Sequence, residues 1–336
     1  MKREARKLRK FLILLDNETL LYHPGSFVSG RVFVELDNDT AVTVLYFHVV
    51  GEGIVRLSGT GGTTHNDSEN YIDFKIKLLE DKGNGNVILS PGVHSFPFKL
   101  GLPLGMPSTF LGKHGWVQYY CKASLKEPNG LIHTTQQVFI VMNPIDLNLE
   151  PALLMQPFLC EIEETFGIPC ITSGPVTCRV RLDKGGYVPG ESICIYASIE
   201  NNSKVGIRKT RAILTETIQY IVKNKHVQSE SRELASIEKG GIEAGTAEKW
   251  KNELLYVPPL PPTNLRGCHL IRIQYDVYFI ISPKGFDSKL KLQLPIMIAT
   301  HPLRNQDGTL KRKRGTQYPT TLPLFRPWLA SGKTFK

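Results

Sequence analysis

Period-two alternation of apolar and polar residues runs through most of this chain. Ile72, Phe74, Ile76 and Leu78 alternate with Asp73, Lys75 and Lys77, and Val117, Tyr119, Cys121, Ala123 and Leu125 alternate with Gln118, Tyr120, Lys122, Ser124 and Lys126. The second half does the same with Val176, Cys178, Val180 and Leu182, with Ile193, Ile195, Ala197 and Ile199, and with Leu290, Leu292, Leu294, Ile296 and Ile298. A strand turns successive side chains to opposite faces, so each run predicts a strand with one face on a core and the other in water. Gly, Pro and Asn punctuate the runs, at HPG (23–25), LDND (36–39), SGTGG (58–62), KGNGN (82–86) and SPG (90–92). The best helical candidate, VQSESRELASIEK from Val227, reads equally well as a strand with its flanking turn. Many short strands and hardly any helix predict an all-β sandwich architecture.

One phrase is written twice. YHPGSFVSGRVFVELDN begins at Tyr22 and YVPGESICIYASIEN begins at Tyr187. Pro-Gly suits the two central positions of a type II turn, because Pro fixes φ at the first and Gly accepts positive φ at the second. The parallel continues in order. SPGVHSFPFKLGLP (from Ser90) corresponds to EAGTAEKWKNELLYVPPLPP (from Glu243), and WVQYYCKASL (from Trp116) to RIQYDVYFII (from Arg272). Gln118 and Tyr119 thereby align with Gln274 and Tyr275. One sandwich plan has been used twice, and 336 residues are enough for two such cores. The stretch 143–172, rich in proline and without a sustained period, is expected to be the linker and hinge between them.

The net charge of +10 is concentrated at the ends. Residues 1–10 carry +5 and residues 301–336 carry +7, which leaves −2 for the body between them. The folded part lacks the basic excess of a nucleic-acid-binding domain, and no nucleic-acid partner is expected. Six cysteines show neither a CxxC pair nor zinc spacing, and no apolar stretch approaches the ~18 residues of a membrane-spanning helix. The five-residue run FLILL is too short for the core of a signal peptide. These features predict a soluble, reduced, intracellular protein.

CITSGPVTCRVRLDKGGYVPGESICIYASIEN (170–201) closely resembles the start of the second domain of the α-arrestins, the arrestin domain-containing proteins. GKHGWVQYYCKASLKEP (112–128), IQYDVYFII and LKLQLPIMIATHPL resemble further segments of theirs, and the likeness covers roughly residues 11–303. The resemblance implies two tandem immunoglobulin-like β-sandwiches, at 11–142 and 173–303. Flanking them are a basic N-terminal arm at 1–10 and a short basic tail at 304–336. It further implies a non-enzymatic adaptor in intracellular protein transport that needs no cofactor. Its partners would be membrane-protein cargo, through cytoplasmic tails that include phosphorylated ones, and the trafficking machinery. Its place would be the cytoplasm, with recruitment to the plasma membrane or endosomes. Affinity is expected from an extended peptide adding to an exposed sheet edge, with contacts in the concavity between the sandwiches. Most members dock WW domains through PPxY motifs in a long tail. None occurs here, so ubiquitin-ligase recruitment by that route is not expected. Where receptor-desensitising arrestins place a finger loop, there is only DNDTA (37–41).

Three clusters are the candidate contacts. Lys7, Arg9 and Lys10 precede the first strand and suit phosphate or an acidic partner through charge-assisted hydrogen bonds. Lys311, Arg312, Lys313 and Arg314 are a candidate anionic-lipid or import signal. Pro258, Pro259, Leu260 and Pro261 form a PPLP sequence of the kind a few WW domains accept. Catalysis finds no support: nine histidines form no HExxH, Ser192 lies in GESIC rather than G-x-S-x-G, and SGTGGTTHND (58–67) lacks the lysine of a phosphate loop. No catalytic, cofactor-binding or metal residue is expected. Two alternatives remain: a coat-type sorting subunit like the retromer component that shares the arrestin fold, and a sandwich enzyme whose site these motifs do not reveal.

Overall fold

The computed structural model describes residues 8–59, 62–80, 87–165, 174–222, 226–285 and 289–304. The chain divides into two compact units. The first is residues 1–143 together with 220–226 and 265–271; the second is 144–219, 227–264 and 272–336.

In the first unit, β1 (Leu8–Leu15), β2 (Leu21–Tyr22) and β3 (Phe27–Leu36) lead into β4 (Thr40–Val42) and the long β5 (Val44–Ser58). β6 (Thr64–Glu80), β7 (Val87–Leu89) and β8 (Gly92–Gly101) follow, then β9 (Phe110–Leu111), β10 (Gly115–Lys126) and β11 (Ile132–Val141). Three strands form one sheet in the order β1-β3-β8, and a larger sheet runs β2-β11-β10-β5-β6 with β9 on β10. The alternation seen in the sequence decides which faces meet. Val117, Tyr119, Cys121, Ala123 and Leu125 of β10 are buried, as are Val28, Val32 and Val34 of β3. Phe47 of β5 stacks on Phe98 of β8 at 3.8 Å between ring centroids, joining the two layers. Burial of each such side chain contributes roughly 1.5–3 kcal/mol.

The second unit repeats the scheme. Its strands are β12 (Phe158–Glu164), β13 (Val176–Leu182), β14 (Gly186–Tyr187), β15 (Ser192–Asn201) and β16 (Ile207–Val222). Then come β17 (His226–Lys239), β18 (Ala247–Tyr256), β19 (Ile271–Pro283) and β20 (Leu290–Ile298). A four-stranded sheet, β12-β13-β15-β18, faces a five-stranded one, β14-β20-β19-β16-β17. Trp250 of β18 meets Phe279 of β19 edge to face at 5.0 Å, and its Nε1 donates to Thr210 Oγ1 of β16 at 3.1 Å. The ambiguous VQSESRELASIEK segment is strand, within β17. Among the described residues there is no α-helix; Ala152–Met155 forms a single 3-10 turn.

The twice-written phrase has one structural role. Gly25 (φ 79°) and Gly190 (φ 92°) both occupy the left-handed region that the turn requires. Their N–H groups donate to Leu102 O at 3.0 Å and to Val257 O at 2.9 Å. The tyrosine before each turn lies in a two-residue strand that pairs in parallel with the last strand of its own sandwich, Tyr22 with Val141 and Tyr187 with Ile298. Further on, Tyr119 Oη donates to Pro107 O at 2.6 Å, and Tyr275 Oη donates to Pro261 O at 2.8 Å. Thr109 and Thr263, two residues past those prolines, accept through Oγ1 from Val141 N and Ile298 N at 2.9 and 2.7 Å. A duplicated hydrogen-bond plan underlies the duplicated sequence.

Within the expected linker, residues 143–165 are more ordered than their lack of period predicts. Ile145 and Leu147 are buried with Val188 and Ala299 in one apolar cluster, and Phe158–Glu164 pairs antiparallel with Val176–Leu182. β12 escapes the sequence because it is a short edge strand with Phe158 and Leu159 both exposed, and its alternation, half-buried Cys160 and Ile162 against exposed Glu161 and Glu163, is brief.

Candidate functional site

The site builds outward from β1. This strand is antiparallel to β3 from Leu8↔Leu36 to Leu15↔Gly30, with an irregularity between Leu8 and Lys10. It is the terminal strand of its sheet. Among the described residues no strand pairs with its other side, so its outward N–H and C=O groups are a template for an extended segment about 26 Å long. Ile13 is 3% exposed and anchors the strand to the core, whereas Leu14 on the opposite face is 55% exposed.

At the N-terminal end of β1, Arg9 Nη1 lies 3.2 Å from Glu35 Oε1, with the arginine side chain 67% exposed. Lys10 is exposed beside it. The structure therefore brings two of the three expected cations to one strand end and gives Arg9 an intramolecular carboxylate. Lys7 and Lys311, Arg312, Lys313 and Arg314 lie outside the described residues.

At the C-terminal end, a recess of about 410 Å³ opens among Asp16, Asn17, Leu21, Tyr22, Ser26 and Phe27. Asp16 Oδ2 accepts from Ser29 Oγ at 2.6 Å, and Asp16 N donates to Ser29 O at 3.0 Å, tying the residue after β1 to β3. Asn17 Nδ2 donates to Leu21 O at 2.7 Å, and Ser26 Oγ donates to His23 O at 2.6 Å. Tyr22 is 5% exposed, and its hydroxyl is buried with no hydrogen-bond partner among the described residues. Burial raises its pKa, so the hydroxyl remains a donor at neutral pH. Phe27 is 60% exposed, with Lys99 Nζ 4.7 Å from its ring centroid. Sequence reasoning missed this recess. The available signal was the longer path from Leu15 to Tyr22 than from Leu182 to Tyr187 in the matching turn.

The PPLP candidate is half enclosed in the fold. Leu260 is 2% exposed, Pro261 is buried with its carbonyl accepting from Tyr275, and only Pro259 of the four is exposed. A WW domain takes a polyproline segment into an aromatic-lined groove, and here Leu260 and Pro261 are turned into the sandwich core.

A separate polar network lies inside the second unit. Glu216 is 1% exposed, lies 3.0 Å from Tyr275 Oη, which it shares with Pro261 O, and accepts from Arg232 Nε at 2.5 Å. It is internal and joins strands β16, β17 and β19 of one sheet. No cluster of three or more His, Cys, Asp or Glu suited to a metal occurs among the described residues, and none of their helices is long and apolar enough to cross a membrane.

Two family models match the chain: the N-terminal domain of arrestin (or S-antigen) over residues 11–148 and its C-terminal domain over 172–303. Mouse arrestin domain-containing protein 4 is 31% identical over 303 residues, covering 87% of this chain and 71% of that protein. Arrestin domain-containing protein 17 of Caenorhabditis elegans is 28% identical over 319 residues, covering 89% and 72%. Human thioredoxin-interacting protein is 28% identical over 304 residues, covering 88% and 75%. The fold is that of tandem arrestin sandwiches, and the chain belongs to the arrestin domain-containing family, the α-arrestins.

Proposed function

We propose that this protein is a non-enzymatic adaptor of intracellular protein transport, which holds acidic or phosphorylated cytoplasmic tails of membrane-protein cargo along β1. It works in the cytoplasm and is recruited to the plasma membrane or endosomes. The observation that carries the reading is a terminal strand whose outer edge is paired by no strand of the described residues, with exposed cations at one end. Backbone pairing supplies affinity that is indifferent to sequence, and Arg9 and Lys10, with Lys7 ahead of them, select for carboxylate or phosphate. Membership of an adaptor family supports the same reading. The basic run Lys311–Arg314 adds attraction to anionic lipid. Ubiquitin ligases are not recruited through WW domains, since PPxY is missing from the sequence and PPLP is half buried.

The test is fluorescence anisotropy with a labelled phosphoserine peptide titrated with the full chain. Arg9→Ala with Lys10→Ala is expected to weaken binding at least about threefold at low salt, with the difference shrinking as salt rises. Equal affinities for both proteins at every salt concentration would refute the assignment.

A further inference from the structure

Aligned on their Pro-Gly turns, the two sandwiches differ in the segment leading into the turn. The second copy runs from Leu182 to Tyr187 through DKGG, and the first from Leu15 to Tyr22 through DNETLL. In the second copy the short turn is filled from within. Lys184 Nζ lies 2.8 Å from Glu191 Oε2 and 4.8 Å from the ring centroid of Tyr187, and the Tyr187 hydroxyl lies 2.8 Å from Asp183 Oδ1. Both members of that ion pair are largely buried, their side chains 12% and 10% exposed. The built unit is an ammonium on a tyrosine face, beside carboxylates.

The first copy keeps the aspartate and the tyrosine, as Asp16 and Tyr22. The backbone link is also kept, since Asp16 N donates to Ser29 O as Asp183 N donates to Cys194 O. The ion pair is gone. Asn17 stands at the lysine position and turns its amide back to Leu21 O, and Ser26 stands at the glutamate position with its hydroxyl on His23 O. Where the second copy packs its own ammonium, the first has the recess of about 410 Å³.

We infer that this recess takes a primary ammonium from a partner, namely a lysine side chain of the extended peptide lying along β1. The inference rests on the strand-addition reading above. Asp16 supplies the negative charge, and Tyr22 and Leu21 supply apolar wall for the lysine stem. Lys99, reaching over from β8, already sits on the Phe27 ring, which leaves Asp16 and Tyr22 as the end that receives the ammonium. Asp16 follows Leu15 directly, so the recess and the Arg9–Lys10 pair bracket the strand. A favoured segment is therefore polar along its length, acidic at one end and lysine-bearing at the other, about 26 Å away.

The experiment uses the full chain and three peptides: one with phosphoserines at one end and lysine at the other, the same with norleucine for lysine, and the same with alanine for the phosphoserines. The lysine peptide is expected to bind about threefold to tenfold more tightly than the norleucine peptide. Asn17→Lys with Ser26→Glu rebuilds the internal pair of the second copy and should erase that difference. Ser26→Leu, which fills the recess, serves in its place if the double variant does not fold. Equal binding of lysine and norleucine peptides by the unaltered protein would overturn the recess assignment and leave strand addition intact. If no peptide binds, strand addition fails and the recess is tested alone by saturation-transfer NMR with n-butylammonium. A signal lost on Ser26→Leu then upholds an ammonium site, and no signal overturns it.

Discussion

Arg9 and Glu35 face each other across the β1–β3 pair at 3.2 Å, so the cation proposed to meet a partner already holds a carboxylate. The arginine is two-thirds exposed, and an exposed pair of this kind is worth about 0–1 kcal/mol. An incoming phosphate, with more charge and more acceptor atoms, out-competes it. Glu35→Gln is therefore expected to tighten acidic-peptide binding about twofold to fivefold while shifting stability by less than about 0.5 kcal/mol. Peptide titration and a urea melt on the same sample check both halves.

The paired tyrosines give unequal expectations. Tyr119 donates to a neutral carbonyl, Pro107 O, whereas Tyr275 lies within hydrogen-bond distance of both Pro261 O and the buried carboxylate of Glu216. Tyr119→Phe should cost about 1 kcal/mol and Tyr275→Phe about 2–3 kcal/mol. Arg232→Met, which leaves Glu216 without its cation, should cost about 3–5 kcal/mol. Urea unfolding followed by far-ultraviolet circular dichroism measures all three losses, and equal losses for Tyr275→Phe and Tyr119→Phe would contradict the role given to Glu216.

Alkali should loosen the cores through their thiols. Burial pushes Cys121 up to about 12, and burial with the neighbouring Cys160 does the same for Cys178, against an ordinary value of 9.0. Between those values the unfolded chain has released protons that the folded one keeps, so stability falls as pH rises from 9 toward 12. The slope is about 1.4 kcal/mol per pH unit for each thiol. Below pH 9 the contribution is fully present. Cys121→Ala and Cys178→Ala should each flatten the decline, and both thiols should resist alkylation at pH 8 until the protein is unfolded.

Leu260 decides what the PPLP sequence is for. Leu260→Ala should destabilise the second sandwich by about 2–4 kcal/mol, because it empties a core position. A WW-domain array should bind a free peptide spanning 256–262 and ignore the folded protein.

Legibility followed the local physics. Tyr22–Gly25 and Tyr187–Gly190 were readable because Pro-Gly turn chemistry resides in adjacent residues, and β10 was readable because its inward face is strictly alternating. β17 was ambiguous, since an edge strand with a polar face has a pattern that a helix also satisfies, and pairing with β16 settles it. The Glu216–Arg232–Tyr275 network was invisible, because its members meet only through the register of neighbouring strands. The burial of Leu260 was hidden for a similar reason: a proline-rich stretch reads as exposed until its hydrogen bond to Tyr275 is seen. The recess near Asp16 was legible in principle, through the longer turn and the exchange of Lys184 and Glu191 for Asn17 and Ser26.

Amide hydrogen exchange over residues 8–15, with and without a phosphorylated peptide, tests the central claim most directly. Strand addition pairs the outward N–H groups of β1, so their exchange should slow on binding, and this protection should weaken when Arg9 and Lys10 are both alanine. A bound peptide that leaves residues 8–15 exchanging at their free rate while protecting another part of the chain would show that the first strand is not where this protein holds its partners.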